Sequence, residues 1–240
     1  MNIFAIGDIH GCLSQLTTLH KKILTHDKFD VKKDLLIYLG DYIDRGNNTK
    51  GVIDQILKLK NNKIKTINLM GNHDEFMIDF LFNKKNDIKN WLNFGVDQTF
   101  RSYDIEIVEF IKDGFEDDVI DKLRNELLKK MDATHINFFK NLEVTHSTEK
   151  YLFVHAGIDP QKKLSEQTKK DYLWSRSNVF FDKNFKAEKI IVHGHTPEKD
   201  VIDYPYRINI DTGCYFSGKL TCVCINEHNK DRFFISNLEV

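Results

Sequence analysis

The chain has 240 residues, of which 41% are hydrophobic and 30% are charged, as is typical of a globular protein with a sizeable core. Lys and Arg number 35 against 36 Asp and Glu, so the net charge of −1 indicates no basic face and makes nucleic acid an unexpected partner. The sequence has no apolar run near the ~18 residues of a membrane span and no charged-then-apolar leader, and its four Cys fit a reduced compartment. We therefore expect a cytoplasmic protein without a membrane partner.

Strands and helices alternate over the first third of the chain. Short apolar runs at 3–7, 35–40 and 65–71 predict three strands, and each run ends in Gly. Each strand is followed by apolar residues at helical spacing, as between Leu13 and Ile23. This order predicts parallel strands joined by crossover helices.

The rest of the chain has a different pattern. From about 84 to 149 it is rich in Lys, Asn and Asp, and its clearest element is the helix "VIDKLRNELLKKM". We interpret this stretch as a helical insertion attached to a single domain that spans 1–240. Five strands with little helix between them follow and predict a second, mixed sheet: 151–155, 189–195, 207–211, 219–225 and 232–236.

Polar side chains follow five of these strands. The strand ends read "GDIHG" (7–11), "GDYIDRG" (40–46), "GNHD" (71–74), "HAG" (155–157) and "HGHT" (193–196). Ligands of open α/β sheets bind outside the carboxyl ends of the strands, so these segments are expected to meet at one site. Turn chemistry explains Gly, Asp and Asn, but it does not explain His at four of five strand ends.

The residue types indicate a metal site. Carboxylate and amide oxygens with imidazole nitrogens, and no thiolate, suit manganese, iron or zinc. The number of such groups exceeds what one ion requires. Two ions ~3.5–4 Å apart, bridged by a carboxylate and a water, are the known arrangement for displacement at phosphorus.

The five motifs, in this order, resemble the phosphoprotein phosphatase branch of the metallophosphoesterases. The sequence is most similar to the bacterial and phage-lambda type of serine/threonine protein phosphatase. The similarity extends over nearly the whole chain through "NWLNFGVDQTFRSY", "LWSR" and "INIDTGCYFSGKLT". It implies an α/β fold of two facing mixed sheets flanked by helices, as in calcineurin-like metallophosphoesterases.

The resemblance also implies six metal ligands. The first ion is expected at Asp8 and His10, and the second at Asn72, His155 and His195, with Asp41 bridging the two. Spacing alone does not choose between the two His of "HGHT"; the family pattern selects His195 and leaves His193 for packing or support. The expected metals are two ions of manganese, with iron and zinc as alternatives.

The resemblance implies roles for four further residues, two in binding the substrate phosphate and two in supplying a proton to the leaving group. Arg45 and Arg176 would clamp phosphate oxygens, a task suited to the planar guanidinium. His73 would be the general acid for the departing alcohol, oriented and kept protonated by Asp44. The implied reaction is hydrolysis of a phosphomonoester on a phosphorylated protein or peptide by a metal-activated water.

Two alternatives stay open. A symmetrical diadenosine tetraphosphate hydrolase has a similar scaffold, but such enzymes typically carry Ala at the position of Asp44. A non-catalytic metal-binding regulatory protein would lack a ligand or the general acid, and every such position is filled here. Three departures from the family pattern leave the shape of the substrate site open. They are Asn47 in place of the usual Pro, Asp74 in place of a common Glu, and a single Gly in "NFGV". For Asp74 we expect a negative charge at the N-terminus of a helix rather than a third acid of the site.

The His residues outside the motifs are expected to be solvated. They are His20, His26, His135, His146 and His228.

Overall fold

The computed structural model describes residues 1–83, 87–112, 114–227 and 231–238. Within these residues the strands form two five-stranded sheets. The first sheet has the order β10-β9-β1-β2-β3, with β1 parallel to β2, β2 parallel to β3, and β9 antiparallel to both β1 and β10. Its strands are β1 (Asn2–Ile6), β2 (Leu35–Tyr38), β3 (Lys65–Asn68), β9 (Thr221–Asn226) and β10 (Arg232–Ser236).

The second sheet has the order β4-β5-β6-β8-β7. Its inner strands β5, β6 and β8 are parallel, whereas β4 and β7 pair antiparallel at the two edges. The strands are β4 (Thr145–Ser147), β5 (Tyr151–Val154), β6 (Ile190–His193), β7 (Ile202–Asp203) and β8 (Arg207–Asn209).

Helices cover the outer faces of the sheets. No helix within the described ranges is both long and apolar enough to cross a bilayer. Two single 3-10 turns lie at Leu92–Phe94 and Leu164–Glu166. The α-helices are α1 (Leu13–Leu24), α2 (Thr49–Asn61), α3 (Asn72–Phe82), α4 (Ile88–Trp91), α5 (Val96–Arg101), α6 (Ile107–Ile111), α7 (Asp117–Lys130), α8 (Ala133–Lys140), α9 (Lys169–Trp174), α10 (Asn178–Phe181) and α11 (Cys214–Ser217).

The alternation of side chains along β1 explains how the layers pack. Successive residues of a strand point to opposite faces. Ile3 and Ala5 join an apolar cluster that also contains Tyr151 and Phe153 of the second sheet, so the two sheets face each other. The intervening Phe4 instead joins the cluster formed with the helices. The predicted fold of two facing mixed sheets flanked by helices is therefore confirmed.

The helices of the predicted insertion pack into the same cluster as the first sheet. Phe100 of α5, Leu123 of α7 and Phe138 of α8 are all buried there, together with Leu16 of α1. The predicted helix "VIDKLRNELLKKM" corresponds to α7. The parts of the predicted insertion at 84–86 and 113 lie outside the described residues.

One prediction about strand pairing is wrong. The strands predicted at 219–225 and 232–236 belong to the first sheet, where β9 pairs with β1 along Asn2–Ile6. They were assigned to the second sheet because they follow its strands closely in the sequence. Local patterning carries no information on long-range strand pairing. The predicted strand at 65–71 is also shorter, since it ends at Asn68.

Two of the His residues expected in solvent are buried. The ring of His20 lies 2.9 Å from the hydroxyl of Tyr38, and that of His135 lies 2.9 Å both from Tyr103 Oη and from Asp54 Oδ1. His26 and His146 are partly exposed, and His228 lies outside the described residues. His135 thus links the buried Tyr103 to Asp54, an exposed carboxylate of α2.

Replacing His135 by Ala should destabilise the fold. The change removes a fully buried ring and both of its hydrogen bonds, so we expect the free energy of unfolding to fall by roughly 2–4 kcal/mol in chemical denaturation. Thr134→Ala, at the exposed neighbouring position of α8, is the control and should change stability by less than ~0.5 kcal/mol. Equal stability of the two variants would contradict a structural role for the His135 ring and its hydrogen bonds.

Candidate active site

Strand ends from both sheets meet at one cavity of about 380 Å³. Eight of the ten predicted site residues line it: Asp8, His10, Asp41, Arg45, Asn72, His73, Arg176 and His195. The other two lie directly behind it. His155 is fully buried, with its Nε2 atom 2.9 Å from Asn72 Oδ1, and Asp44 is fully buried against His73. The structure therefore brings all ten residues together.

The backbone of the site adopts a conformation that is rare for residues with side chains. The described residues include seven non-glycine positions with positive φ, and five of them belong to the site. These are His10, Asp41, Asp44, Arg45 and His195, with φ from 47° to 68°. Such conformations cost of order 1–3 kcal/mol each and persist only when the surrounding structure imposes them. The surrounding structure therefore imposes these loop conformations, and they in turn fix where the side chains of the site lie.

Asp74 imposes much of this loop geometry. Its carboxylate accepts hydrogen bonds from the backbone amides of Asp41 (2.8 Å), Tyr42 (3.2 Å) and Gly71 (2.8 Å). Burial and the nearby charge of Asp41 raise the pKa of Asp74 to about 8. The Gly71 bond is the one expected of a carboxylate in the first turn of α3, and the other two fix the segment that carries Asp41.

Asp41 lies at the centre of two groups of potential metal ligands. One group contains His10, Asp41 and His73, and the other contains Asp41, His155 and His195. Asp41 Oδ2 lies 3.4 Å from the Nε2 atoms of both His10 and His155. A carboxylate shared by two neighbouring groups has the position required of a bridging ligand.

Backbone carbonyl groups fix the orientation of two imidazole rings. His10 Nδ1 donates to the carbonyl oxygen of Ile43 at 2.8 Å, and His155 Nδ1 donates to that of Leu39 at 2.9 Å. Because a carbonyl only accepts, each Nδ1 carries the hydrogen and each Nε2 is left with a free lone pair. Burial lowers the pKa of both rings, that of His10 to about 3, so both are neutral at pH 7. Neutral rings with Nε2 directed at Asp41 suit metal coordination.

Asp8 is the clearest sign that a cation fits here. Its Oδ2 atom accepts from the amide of His195 at 3.0 Å, but its buried Oδ1 atom has no hydrogen-bond partner. A side chain at Gly194 would place its Cβ only 1.9 Å from that oxygen. Burial, then the charges of Asp211 and Asp41, raise the pKa of Asp8 well above its usual range. Crowded, buried carboxylates of this kind are stable when they coordinate a metal ion.

Asn72 and His195 complete the second group. His195 Nδ1 lies 2.8 Å from Asn72 Oδ1 and 3.1 Å from His155 Nε2. On its other side, His195 Nε2 lies 3.0 Å from the Nε atom of Arg176, whose Nη2 also donates to the carbonyl of His195 at 3.3 Å. Arg176 thus lines the cavity while its guanidinium contacts a predicted metal ligand.

His73 and Asp44 form a tightly bonded pair. His73 Nδ1 lies 2.6 Å from Asp44 Oδ2, which also accepts from the indole of Trp91 at 2.7 Å, and Thr99 Oγ1 donates to Asp44 Oδ1 at 2.7 Å. Burial alone would lower the pKa of His73, but the carboxylates of Asp41 and Asp44 outweigh it and raise the pKa above its ordinary value. The environment therefore favours a protonated imidazole.

Several residues at the cavity were not assigned from the sequence. They are Phe94, Trp174, Pro197, Asp211 and Tyr215. Asp211 ends the strand "RINID" in the same way as the other polar strand ends, so that signal was available. Burial, with the charge of Asp41, raises the pKa of Asp211 to about 7. The aromatic residues give no such signal, because aromatic side chains are more often part of a core.

His193, the other His of "HGHT", points away from the cavity. Its Nε2 atom lies 3.1 Å from Arg207 Nη1, and its ring packs near Phe180. The supporting position expected for it agrees with these contacts.

Comparison with known proteins identifies the family. The sequence pattern of the calcineurin-like phosphoesterases matches residues 1–231. The chain belongs to this family. It is therefore a metal-dependent phosphoesterase of a family that uses a dinuclear metal centre, and the His and Asp groups around Asp41 suit such a centre. The predicted relationship to the phosphoprotein phosphatase branch is also supported by similarity to a protein phosphatase.

Relatives of this phosphoesterase carry two kinds of name. Bis(5'-nucleosyl)-tetraphosphatase PrpE [asymmetrical] of Anoxybacillus flavithermus is 27% identical over 91% of this chain and 88% of its own length. Serine/threonine-protein phosphatase 1 of Salmonella typhimurium is also 27% identical, over 92% of this chain and 90% of its own. The crystal structure of a suspected diadenosine tetraphosphatase superposes with a TM-score of 0.64 at 16% identity, covering 100% of this chain and 95% of that one, which supports the fold.

Replacing Asp41 should disturb both metal positions. We expect the purified phosphoesterase to hold two ions per chain by elemental analysis and to lose its activity on treatment with a chelator. Asp41→Asn should reduce the content toward none, whereas Asn72→Ala should reduce it toward one. Asp118→Asn, an exposed carboxylate on α7, is the control. One ion or none in fully active protein would contradict the two-metal arrangement.

Proposed function

We propose that this phosphoesterase removes phosphate from phosphoserine and phosphothreonine residues of proteins. The observation that carries the proposal is the His73–Asp44 pair, with its 2.6 Å contact and raised imidazole pKa beside the cavity. A serine or threonine alkoxide is a poor leaving group that needs a proton as the bond to phosphorus breaks. A buried, carboxylate-supported imidazolium supplies that proton.

The chain's own residues orient the substrate. Two metal ions, which we propose to be manganese, with iron and zinc as alternatives, would be held by Asp8, His10, Asp41, Asn72, His155 and His195. When bound, they would supply a nucleophilic water and neutralise charge on phosphate. Arg45, whose buried Nε atom has no partner, would donate to the phosphoryl oxygens from one side of the cavity. Arg176 would do so from the side of His195.

The proton then passes from His73 to the leaving oxygen. Asp44 holds Nδ1 of the ring, so Nε2 is the atom free to donate, and it lies 4.0 Å from Asp41 Oδ2, at the edge of the first metal group. Trp91 and Thr99 fix the carboxylate of Asp44 in turn. This support fixes the orientation of the donor before the substrate arrives.

A second candidate is asymmetrical hydrolysis of a dinucleoside tetraphosphate. It is favoured by the name of the PrpE relatives and by the aromatic rings of Phe94 and Trp174 at the cavity, which could stack on a nucleobase. The alternative considered from the sequence was symmetrical hydrolysis, whereas these relatives are named for asymmetrical hydrolysis. Protonation by His73 matters less here, because a nucleotide phosphate is a better leaving group than an alkoxide.

A side-by-side assay separates the two candidates. With Mn²⁺ present, we expect kcat/KM to be higher for a phosphoserine peptide than for diadenosine tetraphosphate, with a phosphotyrosine peptide as a third substrate. Far faster release of ATP and AMP from diadenosine tetraphosphate would support the second candidate and reject the first.

Replacement of His73 tests the proton transfer. We expect His73→Asn to lower kcat on a phosphoserine peptide by roughly 10²–10⁴-fold, the usual contribution of a general acid. The loss should be much smaller with p-nitrophenyl phosphate, because p-nitrophenolate departs with little need of a proton. Asp44→Asn should show the same pattern in a milder form.

Metal content is the control for this experiment. His73 is not a ligand in this mechanism, so the His73→Asn variant should retain both ions by elemental analysis. Equal losses of kcat on the two substrates, or loss of an ion, would show that His73 has another role.

A further inference from the structure

The short helix α11 brings an aromatic ring to the phosphate side of the cavity. Tyr215 lines the cavity, and its side chain remains 40% exposed. Its ring centroid lies 4.7 Å from the guanidinium carbon of Arg45, and its hydroxyl lies 3.3 Å from Arg45 Nη1. The rings of Tyr215 and His10 pack in a T-shaped arrangement, with their centroids 5.4 Å apart. Tyr215 thus contacts both Arg45, which is predicted to bind phosphate, and His10, which is predicted to bind a metal ion.

Arg45 needs such a neighbour. Its backbone is fixed, because its φ is 65° and its amide donates to the carbonyl of Gly95 at 3.1 Å. Its side chain is otherwise long and flexible, and its buried Nε atom makes no hydrogen bond. Among the ion pairs found in the described residues none involves Arg45. The contacts with Tyr215 are therefore what orients its guanidinium plane.

The turn that carries Tyr215 is built rigidly. Gly213 and Gly218 at its two ends have φ of 67° and 72°, a conformation that Gly adopts without strain. Ser217 Oγ donates to the carbonyl of Thr212 at 2.6 Å, and Cys214 is buried beneath the turn. The Tyr215 ring is 40% exposed, and the adjacent Phe216 ring packs against it with centroids 4.9 Å apart.

We propose that Tyr215 is a positioning residue that holds Arg45 ready to bind the substrate phosphate. This inference rests on the role proposed for Arg45. The ring face attracts the guanidinium, and the hydroxyl fixes its rotation, so the donors of Arg45 are directed into the cavity before phosphate binds. Preorganisation of this kind strengthens phosphate binding, because less side-chain entropy is lost on binding.

The test uses p-nitrophenyl phosphate as substrate and inorganic phosphate as competitive inhibitor, with the metal-loaded enzyme. We expect Tyr215→Ala to raise KM and the inhibition constant of phosphate together by roughly 3- to 30-fold. The value of kcat should change much less. Tyr215→Phe keeps the ring and should restore most of the affinity. Val108→Ala, at an exposed position of α6 outside the cavity, is the control and should leave both constants unchanged.

A double-mutant cycle shows whether Tyr215 acts through Arg45. Arg45→Ala alone should weaken phosphate binding more than Tyr215→Ala. The double variant should be no weaker than Arg45→Ala, because the ring has nothing left to orient. Elemental analysis should show unchanged metal content in all variants, which excludes an effect through His10.

Three results would overturn the inference. These are an unchanged inhibition constant of phosphate in Tyr215→Ala, losses that multiply in the double variant, and the same loss in Val108→Ala. Failure of the proposed function is distinguished from these results, because it would appear in the unmodified enzyme as no hydrolysis of a phosphoserine peptide. The constants for p-nitrophenyl phosphate and inorganic phosphate would still be measurable.

Discussion

The arrangement of the site depends on one buried carboxylate, that of Asp41. It lies in left-handed backbone, where only surrounding contacts can keep a residue with a side chain. Asp74 supplies one of those contacts through the amide of Asp41, and the Nε2 atoms of two imidazole rings lie 3.4 Å from the Oδ2 atom of Asp41. Its Oδ1 atom accepts from the amide of His73 at 3.0 Å. The two groups of potential metal ligands and His73, the proposed proton donor, are therefore all fixed relative to a single residue.

The fold could be predicted where local pattern determines it. Apolar runs ending in Gly identified the strands, and the polar residues after them identified the site, because parallel strands deliver their ends to one edge. The pairing of β9 with β1 could not be predicted, since it joins residues more than 200 positions apart. The burial of His135 could not be predicted for a similar reason. Its partners Tyr103 and Asp54 come from other helices and loops, and nothing in its own neighbourhood indicates them.

The site shows the same division between local and distant information. The meeting of these residues at one cavity could be predicted, because Asp, Asn and His repeat at strand ends. The contact between Arg176 and His195, and that between Tyr215 and Arg45, could not be predicted, because each depends on the relative placement of two loops. Asp211 is the intermediate case. Its position at a strand end was visible, but the crowding with Asp8 that makes it notable appears only in three dimensions.

The central position of β1 has a consequence for how the chain is made. β2 follows β1 by only about 30 residues, so during synthesis it can cover one edge of β1 soon after β1 has left the ribosome. The other edge is covered by β9 (Thr221–Asn226), which is made more than 200 residues after β1. Until then the nascent chain presents an unpaired, apolar strand edge, the kind of surface that recruits chaperones or promotes aggregation.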